Sequence, residues 1–119
     1  MSDSFSFEVN DVFCIVGRGL VFRGDVQFGK LIPNQTVAFT LGDIDYSANV
    51  AFIELDRKIV QETVIGKEMG LLLTDFNIVE INDYYINAPT DEGMADDYPR
   101  LKDVLNIEYP FSLESSASI

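Results

Sequence analysis

Hydrophobic and polar residues alternate along most of the first two thirds of the chain. From Leu20 to Phe28 every second residue is apolar or glycine, and the residues between them are mostly polar. The same period of two recurs over residues 35–41 and 44–54. Because successive side chains of a strand point to opposite faces of a sheet, this period predicts strands with one buried face.

Two continuous apolar runs, 12–16 and 69–73, predict strands that are buried on both faces. The predicted strands cover residues 5–9 with 12–17, 20–28, 35–41, 44–54, 67–76 and 78–87. Turn-forming residues separate the earlier strands, and the first turn is Gly17-Arg18-Gly19, where glycine tolerates a positive φ. Several short strands joined by such turns indicate a β-barrel or a β-sandwich.

The last third of the chain has a different character. Residues 81–119 hold 8 acidic and 2 basic side chains, a net charge of −6. Asp97 is a suitable N-cap for a short helix that runs through Leu101 and Leu105. The apolar side chains of that helix, with Phe111 and Leu113, predict that part of this segment packs against the rest of the protein.

Charge and composition restrict the function. The chain has 119 residues, with 8 Lys and Arg against 20 Asp and Glu, and its formal net charge is −12. Such acidity argues against nucleic acid as a partner, because Lys and Arg make most phosphate contacts. The chain contains no histidine, the commonest general base and metal ligand. We therefore expect no enzymatic activity, no cofactor and no metal; paired carboxylates or an oxygen-ligated metal remain the alternative for an enzyme.

One calcium-like pattern is present and is better explained as a strand. Residues 43–54 place acidic or polar residues at several ligand positions of an EF-hand loop. Ala48 occupies the position that needs glycine, and the same residues alternate as a strand.

The sequence also predicts a compartment. The first residues lack the basic and apolar regions of a signal peptide, and no apolar run reaches the roughly 20 residues that a membrane span needs. The single cysteine, Cys14, lies in an apolar run and is predicted to be a buried hydrophobic residue. We expect a cytoplasmic protein with no membrane partner.

The segment from Asp11 to Val26 resembles the opening of domain 2 of translational GTPases, above all elongation factor Tu. There the pattern D-V-F-x-I-x-G-R-G-x-V-x-x-G-x-V begins a six-stranded antiparallel β-barrel. The matching residues are Asp11, Val12, Phe13, Ile15, Gly17, Arg18, Gly19, Val21, Gly24 and Val26. Further on, 54–58 resembles E-M-F-R-K and 66–73 resembles G-E-N-V-G-V-L-L.

The resemblance covers about residues 5–85 and implies a six-stranded antiparallel barrel as a stand-alone domain. We therefore divide the chain into a barrel domain, 1–87, and an acidic C-terminal extension with a short helix, 88–119. The extension is expected to pack on the barrel or to be partly disordered.

In the resembled domain a pocket helps to hold the aminoacyl end of tRNA, and the resemblance places Glu54 in that pocket. Asp56 and Glu68 stand where the family has phenylalanine and asparagine. Two added negative charges repel RNA phosphate, so a change of partner is expected on a retained scaffold.

The expected function is therefore a non-enzymatic protein-binding module, in one version an acidic immunity or inhibitor protein that covers a basic toxin or nuclease. The alternative is a translation-linked accessory factor that binds tRNA or the translation machinery. The sequence does not indicate an oligomeric state. The candidate partner-binding residues are acidic: Glu54, Asp56, Glu68, Asp91, Glu92, Asp96 and Asp97.

Overall fold

A computed structural model describes residues 5–87 and 101–115. The described residues form seven strands and two helices, with these bounds: β1 Ser6–Ile15, β2 Gly19–Phe28, β3 Thr36–Leu41, β4 Ile44–Leu55, β5 Lys58–Val60, β6 Glu68–Thr74, α1 Val79–Asn87, α2 Leu101–Leu105 and β7 Phe111–Ser115. Neither of these helices has the length and apolar composition that crossing a bilayer requires, a finding that concerns the described residues alone.

Six of the strands close into an antiparallel β-barrel. They follow the order β3-β7-β1-β2-β6-β4, and β4 pairs back with β3 to complete the ring. The short strand β5 pairs with β4 outside the ring. The predicted six-stranded antiparallel barrel is thus confirmed.

Strand β7 takes a place in the barrel wall that the division at residue 87 did not anticipate. Val9 of β1 is paired with Phe111, and Val37 of β3 is paired with Ser115. Leu113, between these pairs, is fully buried. The barrel therefore includes a strand from the segment that we expected to be an extension. Phe111 and Leu113 of that segment are apolar at alternate positions, as a strand requires.

The predicted strand over 78–87 is wrong, since Val79–Asn87 forms helix α1. Its buried residues are Ile81, Tyr84 and Tyr85, a spacing of three and four that suits a helix packed on one side. The Asn82 side chain also accepts a hydrogen bond from the Phe76 N–H (2.8 Å) and donates one to the Phe76 carbonyl (2.9 Å). These bonds tie the helix to the segment that follows β6. The predicted short helix is present as α2, and its proposed cap, Asp97, lies outside the described residues.

The barrel interior is filled by the apolar faces of the strands. Phe22 of β2 lies near its centre, with its ring centroid 5.1 Å from that of Phe39, 5.9 Å from that of Phe111 and 6.3 Å from that of Phe76. Burying an aromatic side chain of this size contributes about 2–3 kcal/mol to stability. The core thus joins β2 and β3 to β7 and to the segment that follows β6.

Strands β1 and β2 approach each other closely at Gly24. A Cβ atom at this position would overlap the Glu8 carbonyl oxygen and lie 2.8 Å from its carbonyl carbon. The register of the two strands also shifts between Val9 and Asp11. Glycine is therefore needed here because the neighbouring backbone leaves no room for a side chain.

Candidate functional site

A shallow cavity of about 170 Å³ lies on the outer face of β2, β6 and β4. The pairing of the strands explains its position. Val21 is paired with Leu72, and Leu72 with Phe52, so these three side chains form one outward-facing row. Arg23, Gly70 and Glu54 form the adjacent row. We call this the outer-face cavity; its lining residues are Ile15, Arg18, Val21, Phe52, Glu54, Ile59, Gly70 and Leu72.

Gly70 provides the floor of the outer-face cavity. A Cβ atom there would lie 3.4 Å from Val21 Cγ1, 3.6 Å from Arg23 Nη1 and 3.6 Å from Glu54 Oε1. The missing side chain therefore leaves space into which charged groups from both neighbouring strands reach. Unlike Gly24, Gly70 could carry a methyl group without overlap.

The walls of the cavity are apolar and partly exposed to solvent. Val21 and Leu72 are buried, whereas Phe52 is 41% exposed and Ile59 is 59% exposed. The Arg18 guanidinium carbon lies 5.6 Å from the centre of the Phe52 ring, which is the geometry of a cation–π contact. The wall thus combines apolar area with two planar groups, one of them cationic.

Glu54 is the acidic group of the cavity wall. It is partly buried, and within the described residues its carboxylate has no hydrogen bond and no ion pair. A carboxylate accepts hydrogen bonds only, so both oxygens are available to a donor that enters the cavity.

The other predicted site residues lie elsewhere. Asp56 is exposed in the β4–β5 turn, where it and Arg57 have positive φ values of 52° and 68°. Glu68 is exposed at the start of β6, with its carboxylate 3.8 Å from Arg23 Nε. Glu54 and Glu68 thus face the same side of neighbouring strands, but among the described residues only Glu54 lines the cavity. The remaining candidates lie outside the described residues: Asp91, Glu92, Asp96 and Asp97.

Sequence reasoning missed the apolar walls for an identifiable reason. Alternation along β4 predicts that Val50 and Phe52 share a face, but a register shift between them turns Val50 inward and leaves Phe52 outside. A β-bulge of this kind leaves no clear mark in a single sequence. Val21 gave a usable signal, because it is apolar at a position where the alternation calls for a polar residue.

The other candidate chemistry is structural. Cys14, which we predicted to be buried, is partly buried against the core, and this burial raises the pKa of its thiol. Residues 44–55 form β4, which agrees with the strand interpretation of the calcium-like pattern. In the part of the chain that the structure describes, no three His, Cys, Asp or Glu residues are arranged to hold a metal ion.

Basic residues are placed around the cavity. Arg18 lines it, Arg23 extends from β2 beside it, and Arg57 and Lys58 belong to the hairpin that carries Ile59.

A comparison of the chain with protein-family models finds no match.

Proposed function

We propose that the protein is a non-enzymatic protein-binding module whose outer-face cavity receives one side chain of a partner. The observation that carries the proposal is the size and exposure of the cavity. At about 170 Å³ it is smaller than the roughly 300–1,000 Å³ of sites for cofactors and small substrates. Its walls include Phe52, 41% exposed, and Ile59, 59% exposed. A cavity of this kind suits an anchoring side chain of a protein interface.

The charge of the chain supports a basic partner. A net charge of −12 attracts basic proteins over distances of several ångströms and speeds their association. In its most specific form, the proposal is a cytoplasmic immunity or inhibitor protein that covers a basic toxin or nuclease. The likeness to domain 2 of translational GTPases belongs to the same proposal, and the closed six-stranded barrel is consistent with it.

A second candidate is supported by the basic residues around the cavity. Arg18, Arg23, Arg57 and Lys58 are on or beside the part of the barrel that bears Glu54. This placement is what a translation-linked factor that binds tRNA or the translation machinery would need. A filter-binding titration with tRNA at low salt tests it: we expect no retention, and saturable retention that Arg18→Ala weakens would support this second function instead.

The main proposal is tested by affinity capture from lysate at low and moderate salt. Wild-type protein is compared with Gly70→Leu, which fills the cavity, and with Glu62→Ala, a matched surface change in the loop between β5 and β6. We expect a basic protein to be captured by the wild type and by Glu62→Ala but not by Gly70→Leu. Circular dichroism and thermal melting must show that all three are folded. Recovery of no basic partner, or equal recovery by Gly70→Leu, would contradict the proposal.

A further inference from the structure

We propose that the side chain received by the outer-face cavity is an aromatic one with a hydrogen-bond donor, tryptophan or tyrosine, which donates to Glu54. This inference rests on the proposed function and specifies the chemistry of the partner. It combines three observations: the volume of the cavity, the state of the Glu54 carboxylate, and the position of Arg18 over Phe52.

The volume suits one aromatic side chain, and an indole can extend beyond the cavity because it is open to the outer face. A cavity of about 150 Å³ lined by aliphatic and aromatic side chains is known to hold benzene, and the outer-face cavity measures about 170 Å³. The row of Val21, Leu72 and Phe52 offers a continuous apolar surface for one face of such a ring. A flat aromatic group therefore fills the space without opening the strands.

Glu54 selects a ring with a donor. Glu54 is partly buried at the cavity wall, and its carboxylate is open to solvent, without a hydrogen bond or an ion pair in the described part of the chain. A purely apolar side chain would remove water from this carboxylate without offering it a donor, which is unfavourable, and the nearby Arg23 guanidinium is already 3.8 Å from the Glu68 carboxylate. An indole N–H or a phenol O–H instead makes a charge-assisted hydrogen bond.

Arg18 gives a second reason for an aromatic group. Its guanidinium already lies over the Phe52 ring, 5.6 Å from the ring centre, at the edge of the cavity. A second ring that enters beside Phe52 meets the same cation, and Arg–aromatic contacts of this kind are favourable. A branched aliphatic side chain could not make that contact.

The test uses three small probes with isotope-labelled protein that comprises all 119 residues of the sequence. Amide NMR titrations compare N-acetyl-tryptophanamide, N-acetyl-phenylalaninamide and adenosine 5′-monophosphate. We expect the tryptophan probe to bind about tenfold more tightly than the phenylalanine probe, which lacks a donor. We also expect the perturbed amides to cluster around Gly70, Val21 and Phe52.

Variants identify the group responsible for the preference. Glu54→Ala should bring the tryptophan probe to within about twofold of the phenylalanine probe, and Glu54→Gln, which retains one acceptor oxygen, should restore part of the difference. Glu114→Ala is the control, because Glu114 is acidic and exposed on β7 but does not line the cavity; it should keep the preference. Amide signals away from the cavity report that each variant is folded.

Four outcomes would overturn the inference. They are equal binding of the two amino-acid probes by the wild type, a preference that survives Glu54→Ala, tighter binding of adenosine 5′-monophosphate, and no binding of any probe up to its solubility. The capture experiment is separate. If a basic partner is captured through Gly70 while the tryptophan probe shows no preference, the donor chemistry is wrong and the binding module stands.

Discussion

The two halves of the barrel wall differ in pairing and in charge. On one side, Leu20–Asp25 of β2 is paired without interruption with Glu68–Leu73 of β6. On the other side, the described residues of β7 are paired with β3 at Val37 and Ala38. We call these the cavity half, formed by β2, β6, β4 and β5, and the closing half, formed by β1, β7 and β3.

The charges follow the same division. Within the described residues, the strands of the closing half carry Glu8, Asp11 and Glu114 and no Lys or Arg. The strands of the cavity half carry both signs, with Arg23 and Lys58 among their acidic residues. In our proposal, the closing half therefore contributes only long-range electrostatic attraction of the basic partner. The cavity half makes the specific contact.

The largest expected effect tests whether the closing half is essential to the barrel. Leu113 of β7 is fully buried, so Leu113→Ala should lower the free energy of unfolding by about 3–4 kcal/mol through lost burial and the cavity left behind. Urea denaturation followed by circular dichroism measures the loss. Ser112→Ala, at an exposed position of the same strand, is the control and should change stability by less than about 0.5 kcal/mol. Similar stability for both variants would show that β7 is dispensable.

The second prediction contrasts the two glycines. Gly24→Ala places a methyl group on the backbone of Glu8 and should cost about 2–3 kcal/mol, because β1 and β2 must move apart. Gly70→Ala meets only ordinary contacts at 3.4–3.6 Å and should leave stability within about 1 kcal/mol of the wild type, while narrowing the cavity. Thermal melting of the two variants in parallel decides between them. If Gly70→Ala were instead the less stable variant, the closest approach of two backbones would be at Gly70 of β6 and not between β1 and β2.

The third prediction uses pH to probe the closing half. Burial raises the pKa of Tyr109 above its usual value of 10.0; the hydrogen bond from the Val12 N–H opposes this, and the charge of Asp11 adds to it. The folded protein therefore keeps this proton at pH values where the unfolded chain has lost it. This contribution to stability is complete below pH 10.0 and is lost as pH rises through the raised pKa.

A comparison of Tyr109→Phe with the wild type isolates the contribution of the Tyr109 hydroxyl to stability. It removes a 2.9 Å hydrogen bond and should cost about 1 kcal/mol near neutral pH. Because phenylalanine does not titrate, the gap between variant and wild type should narrow when urea denaturation is repeated at about pH 11. If the stability difference between the wild type and Tyr109→Phe does not change as the pH is raised, the titration of Tyr109 does not contribute to stability.

The smallest change in stability is expected for the ion pair between Lys30, in the β2–β3 loop, and Glu62, in the β5–β6 loop. Lys30 and Glu62 are 3.4 Å apart, but their side chains are more than half exposed. Lys30→Ala should therefore change the free energy of unfolding by less than about 0.5 kcal/mol. Thr63→Val is the comparison, because buried Thr63 accepts a 2.9 Å hydrogen bond from the Leu31 N–H and should cost about 1–2 kcal/mol. If Lys30→Ala lost more stability than Thr63→Val, the exposed ion pair would contribute more than the buried hydrogen bond, contrary to the prediction.

The fold was more accessible from sequence than the site. Alternation over Leu20–Phe28 and the Gly17 turn, with its φ of 78°, correctly placed the first hairpin. Residues 78–87 misled the prediction because Ile78, Ile81 and the tyrosines suit a strand as well as a helix; the bonds of Asn82 to Phe76, which fix the helix, depend on the fold. Glu54 became a candidate through the family resemblance, and it lines the outer-face cavity. Its apolar neighbours depend on strand register and a bulge, which local sequence does not encode.

The position of β7 also affects how the chain is made. It fills the gap between β1 and β3, yet it follows β1 by about 100 residues. At roughly 5–20 residues per second, a ribosome releases the apolar edges of β1 and β3 several seconds before their partner strand exists. Throughout that interval two neighbouring nascent chains can pair through these edges. The nascent barrel thus stays exposed to aggregation until β7 has been synthesised and has paired with β1 and β3.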